Sequence, residues 1–330
     1  MPEYLSPGVY VEEVDRGPKP IEGVGTAMAA FVGFTEKAEL VREVDGEVIV
    51  EDLLNKPQLI TNWSQFVERY GDFVPGAYLA YAVYGYFMNG GSRCYVVSVR
   101  TIPKAQAALL NGEGKPQLVV RAKRAGFDGL RLRVRVTDVT PLPAAKKPRG
   151  KGKEGEEQPS APEVGADWEG SFNLIVEREK ISGGWKVAEE VKGVHLHEVE
   201  EEGQKRVRVA YRNNKAPALI DILIPEDAPL AQLWPQEQEQ PLSIETAQLQ
   251  APTAQEFQGK VTERTGVEGL EALDDVTMLC VPDLMSTMPG QKLDLDTIKG
   301  VQTMMIAHCE RMGDRVAILD APPDMTPQEV

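Results

Sequence analysis

The hydrophobic pattern divides the chain into stretches of different period. Residues 29–34 form a short continuous apolar run, the mark of a strand buried on both faces. Trp63, Phe66, Val67 and Tyr70 fall at i, i+3, i+4 and i+7, which is one face of a helix. Thr61 or Asn62 can cap that helix, and Gly71 can end it. A second helix is predicted over 77–88, closing at Asn89-Gly-Gly91, and a β-branched strand over 94–99.

From there the period changes to two. Leu130, Leu132, Val134 and Val136 alternate with Arg131, Arg133, Arg135 and Thr137, which predicts a half-buried strand with an arginine face toward solvent. Further strands are expected at 172–177, at 185–187 after a Ser182-Gly-Gly184 turn, at 207–211 and at 219–224. Residues 141–167 carry almost no large apolar side chains and are expected to be a mobile loop, because nothing offsets their ordering entropy. A second polar stretch runs over 235–258.

Helical and buried-strand signals then return. Residues 270–273 read as a short helical piece, and 276–281 as a buried strand ended by Pro282-Asp283. Asp294 or Asp296 caps a helix carrying Ile298, Val301, Met305, Cys309 and Met312, with Gly313 at its end. A strand follows at 316–319, so this segment predicts a βαβ unit with a parallel pair. The expected fold class is α/β (α+β). Its core domain is discontinuous, built from residues 21–104 and 259–330. A β-rich insertion spans 105–258, and an extended arm spans 1–20. In the arm, Pro2, Pro7, Pro18 and Pro20 bracket one strand-like piece: Val9, Tyr10, Val11, Glu12, Glu13 and Val14. A lone strand is not stable, so this piece needs a sheet to join.

Composition narrows the function classes. The 330 residues hold 51 acidic and 36 basic side chains, a net charge of −15, which disfavours nucleic acid and anionic membranes as partners. No apolar run approaches the ~18 residues of a membrane-spanning helix, and residues 1–8 lack the pattern of a secretory leader. Stable membrane insertion is therefore not expected. Cys94, Cys280 and Cys309 form no disulfide framework, which suits a reducing compartment.

Candidate chemistry is sparse. Gly23 and Gly25 supply two glycines of a dinucleotide fingerprint but not the third, and no phosphate-binding loop or nucleophile elbow is present. Asp283 and Asp320 each follow a strand of the parallel type, where a metal-dependent α/β hydrolase could place two carboxylates. The plainer reading is that each caps a turn. His195 and His197 would share one face of a strand and could seed a zinc site with Glu198 or Glu200, although a solvated strand edge is the expectation. Cys309, beside His308, falls on the apolar face of its helix and reads as core. The basic run 146–153 is followed at once by Glu154, Glu156 and Glu157 and reads as a solvated loop. No catalytic, metal or cofactor site is predicted, and a structural or interaction protein is expected.

Several segments resemble the contractile tail sheath family of phage tails and phage-tail-like injection systems. They are Ser6-Pro-Gly-Val-Tyr-Val-Glu-Glu-Val14, Pro20-Ile-Glu-Gly-Val-Gly-Thr26, Ala30-Phe-Val-Gly-Phe34, Leu59-Ile-Thr-Asn-Trp63 with Phe66 and Gly71, Tyr78-Leu-Ala80, and Phe87-Met-Asn-Gly-Gly91 with Cys94-Tyr-Val-Val97. A later block comprises Arg264-Thr-Gly266, Leu270-Glu-Ala-Leu-Asp-Asp-Val276, Val281-Pro-Asp-Leu284 and Ile318-Leu-Asp-Ala-Pro-Pro323. Ala125-Gly-Phe-Asp-Gly-Leu130 is similar, more loosely, to the entry of the family's insertion.

The resemblance implies a subunit without cofactor or catalysis that stacks in rings, as a helical homo-oligomer, around an inner tube of another protein. Such a sheath contracts to drive the tube through a target membrane. It implies further partners in baseplate and terminator or cap proteins, and assembly in the bacterial cytoplasm within a phage tail or a released tail-like particle. It implies an inter-subunit arm at Val9, Tyr10, Val11, Glu12, Glu13 and Val14, with hinges at Gly17, Pro18, Pro20, Gly23 and Gly25. A baseplate or collar protein with a sheath-like fold is the non-polymerising alternative. Sheath proteins continue well past the Leu-Asp-Ala-Pro-Pro segment. Thr326-Pro-Gln-Glu329 has the signature of a helix start, so a further C-terminal part is expected beyond this sequence.

Overall fold

The computed structural model describes residues 28–44, 47–140, 170–201, 204–225, 228–322, 325, 326 and 328. The arm, its hinges, the loop 141–167 with its basic run, and most of the segment after Thr326 therefore lie outside the described residues.

Strand β1 (Met28–Thr35) is buried along its whole length. The hairpin β2 (Glu39–Val44) and β3 (Glu47–Asp52) follows, and then the short β4 (Gln58–Ile60). Helices α1 (Trp63–Tyr70) and α2 (Leu79–Met88) lead to β5 (Cys94–Thr101). Next come β6 (Gln106–Leu110), β7 (Pro116–Ala122), the single turn α3 (Phe127–Leu130), β8 (Leu132–Thr137), β9 (Phe172–Glu179), β10 (Trp185–Glu201), β11 (Gln204–Tyr211) and β12 (Ile220–Leu223). The return is made by α4 (Leu230–Leu233), β13 (Gln238–Pro241) and α5 (Ala254–Gln258). The chain then forms β14 (Val276–Cys280), α6 (Leu295–Met312) and β15 (Val316–Ile318).

The fold is mixed α/β. One sheet has the order β15-β14-β1-β5-β4, in which the first four strands are mutually parallel and β4 is antiparallel at the edge. Because β1 is central, its alternate side chains face opposite ways. Ala29 and Phe31 pack beneath α1 and α2 with Phe66, Tyr70 and Leu79. Ala30, Val32 and Phe34 pack toward α5 and α6 with Phe257, Val301 and Met305. The helices start and stop on the residues that their caps require. Asn62 Oδ1 accepts from the Gln65 amide, and Asp294 Oδ1 accepts from the Thr297 amide. Gly313 takes the left-handed conformation, φ +70°, that ends α6.

The other strands form an antiparallel sheet β11-β10-β9-β8-β13 and a smaller one, β12-β7-β6, over a shared core from Ala105 to Ile244. The chain enters and leaves this region side by side: Gln106 and Ser243 exchange backbone hydrogen bonds of 2.8 and 2.9 Å.

Three expectations need correction. Leu130 closes the turn α3, so the alternating strand starts at Leu132. Its arginine face is not simply solvated. Arg133 and Arg135 grip the buried Glu177 at 2.6 and 3.1 Å, and the Arg133 guanidinium lies 4.5 Å over the Trp185 ring. The strand predicted at 185–187 runs on to Glu201 between β9 and β11, so His195 and His197 sit inside a sheet and not at its edge.

Candidate functional site

In open parallel sheets, ligands bind beyond the carboxyl ends of strands where the strand order reverses. Here that place lies between β1 and β14, and the protein's own side chain fills it. Asp283 stands in a tight turn, Pro282–Met285, directly after β14. Its Oδ2 accepts from the Phe34 amide at 2.6 Å, at the end of β1. Its Oδ1 accepts from the amides of Tyr78 at 2.5 Å and Leu79 at 3.3 Å, where α2 begins. Asp283 is 0% exposed. Burial pushes its carboxyl up to about 6, against the opposing pull of the three N–H donors. Gly33 makes the approach possible, since a Cβ there would lie 2.3 Å from Asp283 Oδ2.

One carboxylate thus ties β1, α2 and the turn after β14 together. Both Asp283 oxygens are taken by backbone donors, so the hydrolase reading of Asp283 with Asp320 is set aside. Asp320 lies at the surface past β15, where its backbone oxygen accepts from Gln302 Nε2 at 2.8 Å. Among the described residues no group of three or more His, Cys, Asp or Glu is placed to hold a metal ion.

The other candidates serve packing. His195 and His197 share a face with rings nearly parallel, 5.8 Å apart. His195 Nδ1 lies 2.6 Å from the Gly170 carbonyl and must therefore carry the proton. Burial, then the charge of His195, pushes His197 below its ordinary value. His308 is buried against Arg315, whose Nη1 donates to its Nε2 at 3.3 Å. Burial, then the Arg315 charge, pushes His308 below its ordinary value. Burial raises the thiols of Cys94 and Cys280 to about 12, so neither is a nucleophile at neutral pH.

The surface offers more than the interior does. Strand β15 ends the parallel sheet, and its outer edge is unpaired among the described residues. Val316, Ile318 and Leu319 are exposed there. The hairpin β2–β3 forms a two-stranded sheet of its own, with Val41, Val44, Val48, Ile49 and Val50 exposed. Sequence reasoning missed this ribbon, although its β-branched residues between Glu39 and Asp52 were a signal that could have found it. The arm residues Val9, Tyr10, Val11, Glu12, Glu13 and Val14 and the hinges Gly17, Pro18, Pro20, Gly23 and Gly25 lie outside the described residues.

No family model matches the chain, and no curated protein matches it in sequence. Among solved structures it is similar to a sheath tail protein from Desulfitobacterium hafniense, at 12% identity and a TM-score of 0.36, over 94% of this chain and 51% of that one. It is also similar to a sheath tail protein from Listeria innocua, at 10% identity and a TM-score of 0.30, over 91% of this chain and 49% of that one. The chain is thus similar to two sheath tail proteins and spans about half the length of each.

Proposed function

We infer that the chain is a structural subunit of a contractile tail sheath. It polymerises as stacked rings around an inner tube and, with baseplate and cap proteins, forms part of a phage tail or tail-like particle assembled in the bacterial cytoplasm. Residues 21–104 and 259–330 would form the sheath core, and 105–258 an outward-facing insertion. The arm at Val9, Tyr10, Val11, Glu12, Glu13 and Val14 would add a strand to a neighbouring subunit, swinging on Gly17, Pro18, Pro20, Gly23 and Gly25.

One observation carries this reading. The segments that resemble the family coincide with the joints of the parallel sheet: Gly33 with Val281-Pro-Asp283, Tyr78-Leu79 with Asp283, and Gly266, whose amide donates to the Asn55 carbonyl at 2.9 Å. Segments that meet at such joints suit a subunit that bears load. Arms suit it as well. Burying about four side chains at ~1.5–3 kcal/mol each roughly balances ordering six residues at ~1–2 kcal/mol each. A single arm then holds little, and many arms in a ring hold together through effective concentration.

The test is electron microscopy of the native high-molecular-weight fraction, beside the same fraction from a strain lacking residues 1–16. Striated tubes in long and short forms, lost on the deletion, are expected. Discrete particles without tubes would instead assign a baseplate or collar role, and tubes indifferent to the deletion would remove the arm.

A further inference from the structure

The β2–β3 ribbon and a cavity near its base carry opposite charge. The ribbon is joined to the body where the Leu53 amide donates to the Ala38 carbonyl at 3.0 Å. From that base its six-residue strands reach out about 20 Å. Two strands alone are marginal in water, and this pair shows apolar side chains on both faces, with Val48 68% exposed. Acidic residues stand among them. Arg42 answers Glu51 at 3.5 Å, while Glu43, exposed near the tip, has no hydrogen bond or ion pair among the described residues.

The cavity has the opposite character. It measures about 340 Å³, and its lining includes Pro57, Ala272, Leu273, Lys56 and Arg264. The carboxylate of the lining, Glu263, is held by Lys260 at 2.8 Å. Lys56 Nζ donates only to the Asp52 carbonyl, and the exposed Arg264 side chain has no partner among the described residues. The backbone around it is clamped. A Cβ on Gly269 would lie 2.5 Å from the Arg264 carbonyl carbon, and Arg264 itself sits at φ +54°. Glycine would hold that conformation with less strain, so an arginine there points to a use for its side chain.

We propose that the outer end of one copy's ribbon strands, at the paired positions Glu43 and Val48, seats in the Lys56–Arg264 cavity of the next copy. The charges are complementary in a chain whose net charge is −15, and the apolar side chains of the lining, Pro57, Ala272 and Leu273, match the valines. The ribbon cannot serve its own cavity, because its base at Asp52 lies beside Lys56 while Glu43 and Val48 stand near the far end of strands about 20 Å long. Such a contact joins two different surfaces, so it propagates from copy to copy into a ring or a helix. It rests on the reading of the chain as a self-assembling subunit and supplies that reading with a contact.

The experiment is charge reversal and its rescue in the full chain. Sedimentation velocity across a concentration series would compare the wild type, Glu43→Arg, Arg264→Glu and the double variant, with thermal melts of all four. Each single reversal should weaken association about tenfold or more, and the double should restore it, since like charges face each other in the singles only. Arg264→Gly should melt no lower than the wild type and still associate weakly. A double variant as weak as the singles overturns the contact. Singles that associate like the wild type also overturn it while leaving self-assembly standing. A wild type that stays monomeric at every concentration defeats both.

Discussion

Asp283 joins β1, the start of α2 and the turn after β14. Its two oxygens serve three amides, so Asp283→Asn leaves at least one buried N–H facing an amide nitrogen. That variant should lose about 2–3 kcal/mol in urea unfolding, the cost of an unmet buried donor. Gly33→Ala should destabilise by a similar mechanism, because its Cβ displaces the carboxylate. The pH dependence has a definite sign. The folded carboxyl holds its proton up to about 6, above its ordinary 3.8, so the folded state binds more protons between those values. The contribution is complete below the ordinary value and is lost as pH rises through about 6. A protonated carboxyl still presents two accepting oxygens and an amide only one. The margin of wild type over Asp283→Asn should therefore be widest near pH 4 and narrower at pH 7.5; a margin that widens with pH would refute the assignment. The sequence made Asp283 legible as the end of a strand. Its partners lie 249, 205 and 204 residues away, and no local pattern names them.

Elements were legible where local chemistry decides them. The α1 face, its Asn62 cap and its Gly71 stop can all be read off one continuous stretch of sequence, as can α6 between Asp294 and Gly313. Asn62→Ala should lower stability by about 1 kcal/mol without moving the helix. Elements made by their neighbours were not legible. Strand β13 reads Gln-Glu-Gln-Pro and carries no hydrophobic signal; it is a strand because β8 offers Val134 and Val136 as pairing partners. The arginines of β8 follow the same rule. Their alternation is visible in sequence, but Glu177 arrives from β9 to hold them. Glu177 is only 6% exposed, so its charge is satisfied chiefly by those two guanidiniums. Glu177→Gln should cost about 1–2 kcal/mol, since charge-assisted bonds weaken on both arginines. Salt should do little to close that gap, because a buried group is poorly screened. A gap that disappears in high salt would mean that the network acts as surface charge alone.

At the scale of the whole molecule, the sequence told parallel from antiparallel segments by their period, while the crossing between them required coordinates. Gln106 and Ser243 exchange two backbone hydrogen bonds, so the long β-rich segment leaves and rejoins the rest of the chain at neighbouring positions. Inserted units with adjacent ends commonly fold alone. This one has its own core, from Ala105 to Ile244, built from strands whose partners all lie within it. Residues 105–244 expressed alone should therefore unfold cooperatively, with antiparallel β circular dichroism. The remainder, rejoined by an Asn-Gly turn between Gln106 and Ser243, should also fold, because the parallel sheet draws all five strands from outside the excised segment. It should be weaker than the parent. Ala125 and Phe127 pack into the core of the parallel sheet, and Gly126 lies against Met288, so their removal opens a cavity costing about 2–5 kcal/mol. Two independent transitions from the separated pieces would establish that the shared surface around Ala125 and Phe127 tunes the sheet without building it. A remainder that never folds would show that the β-rich segment is part of the same cooperative unit.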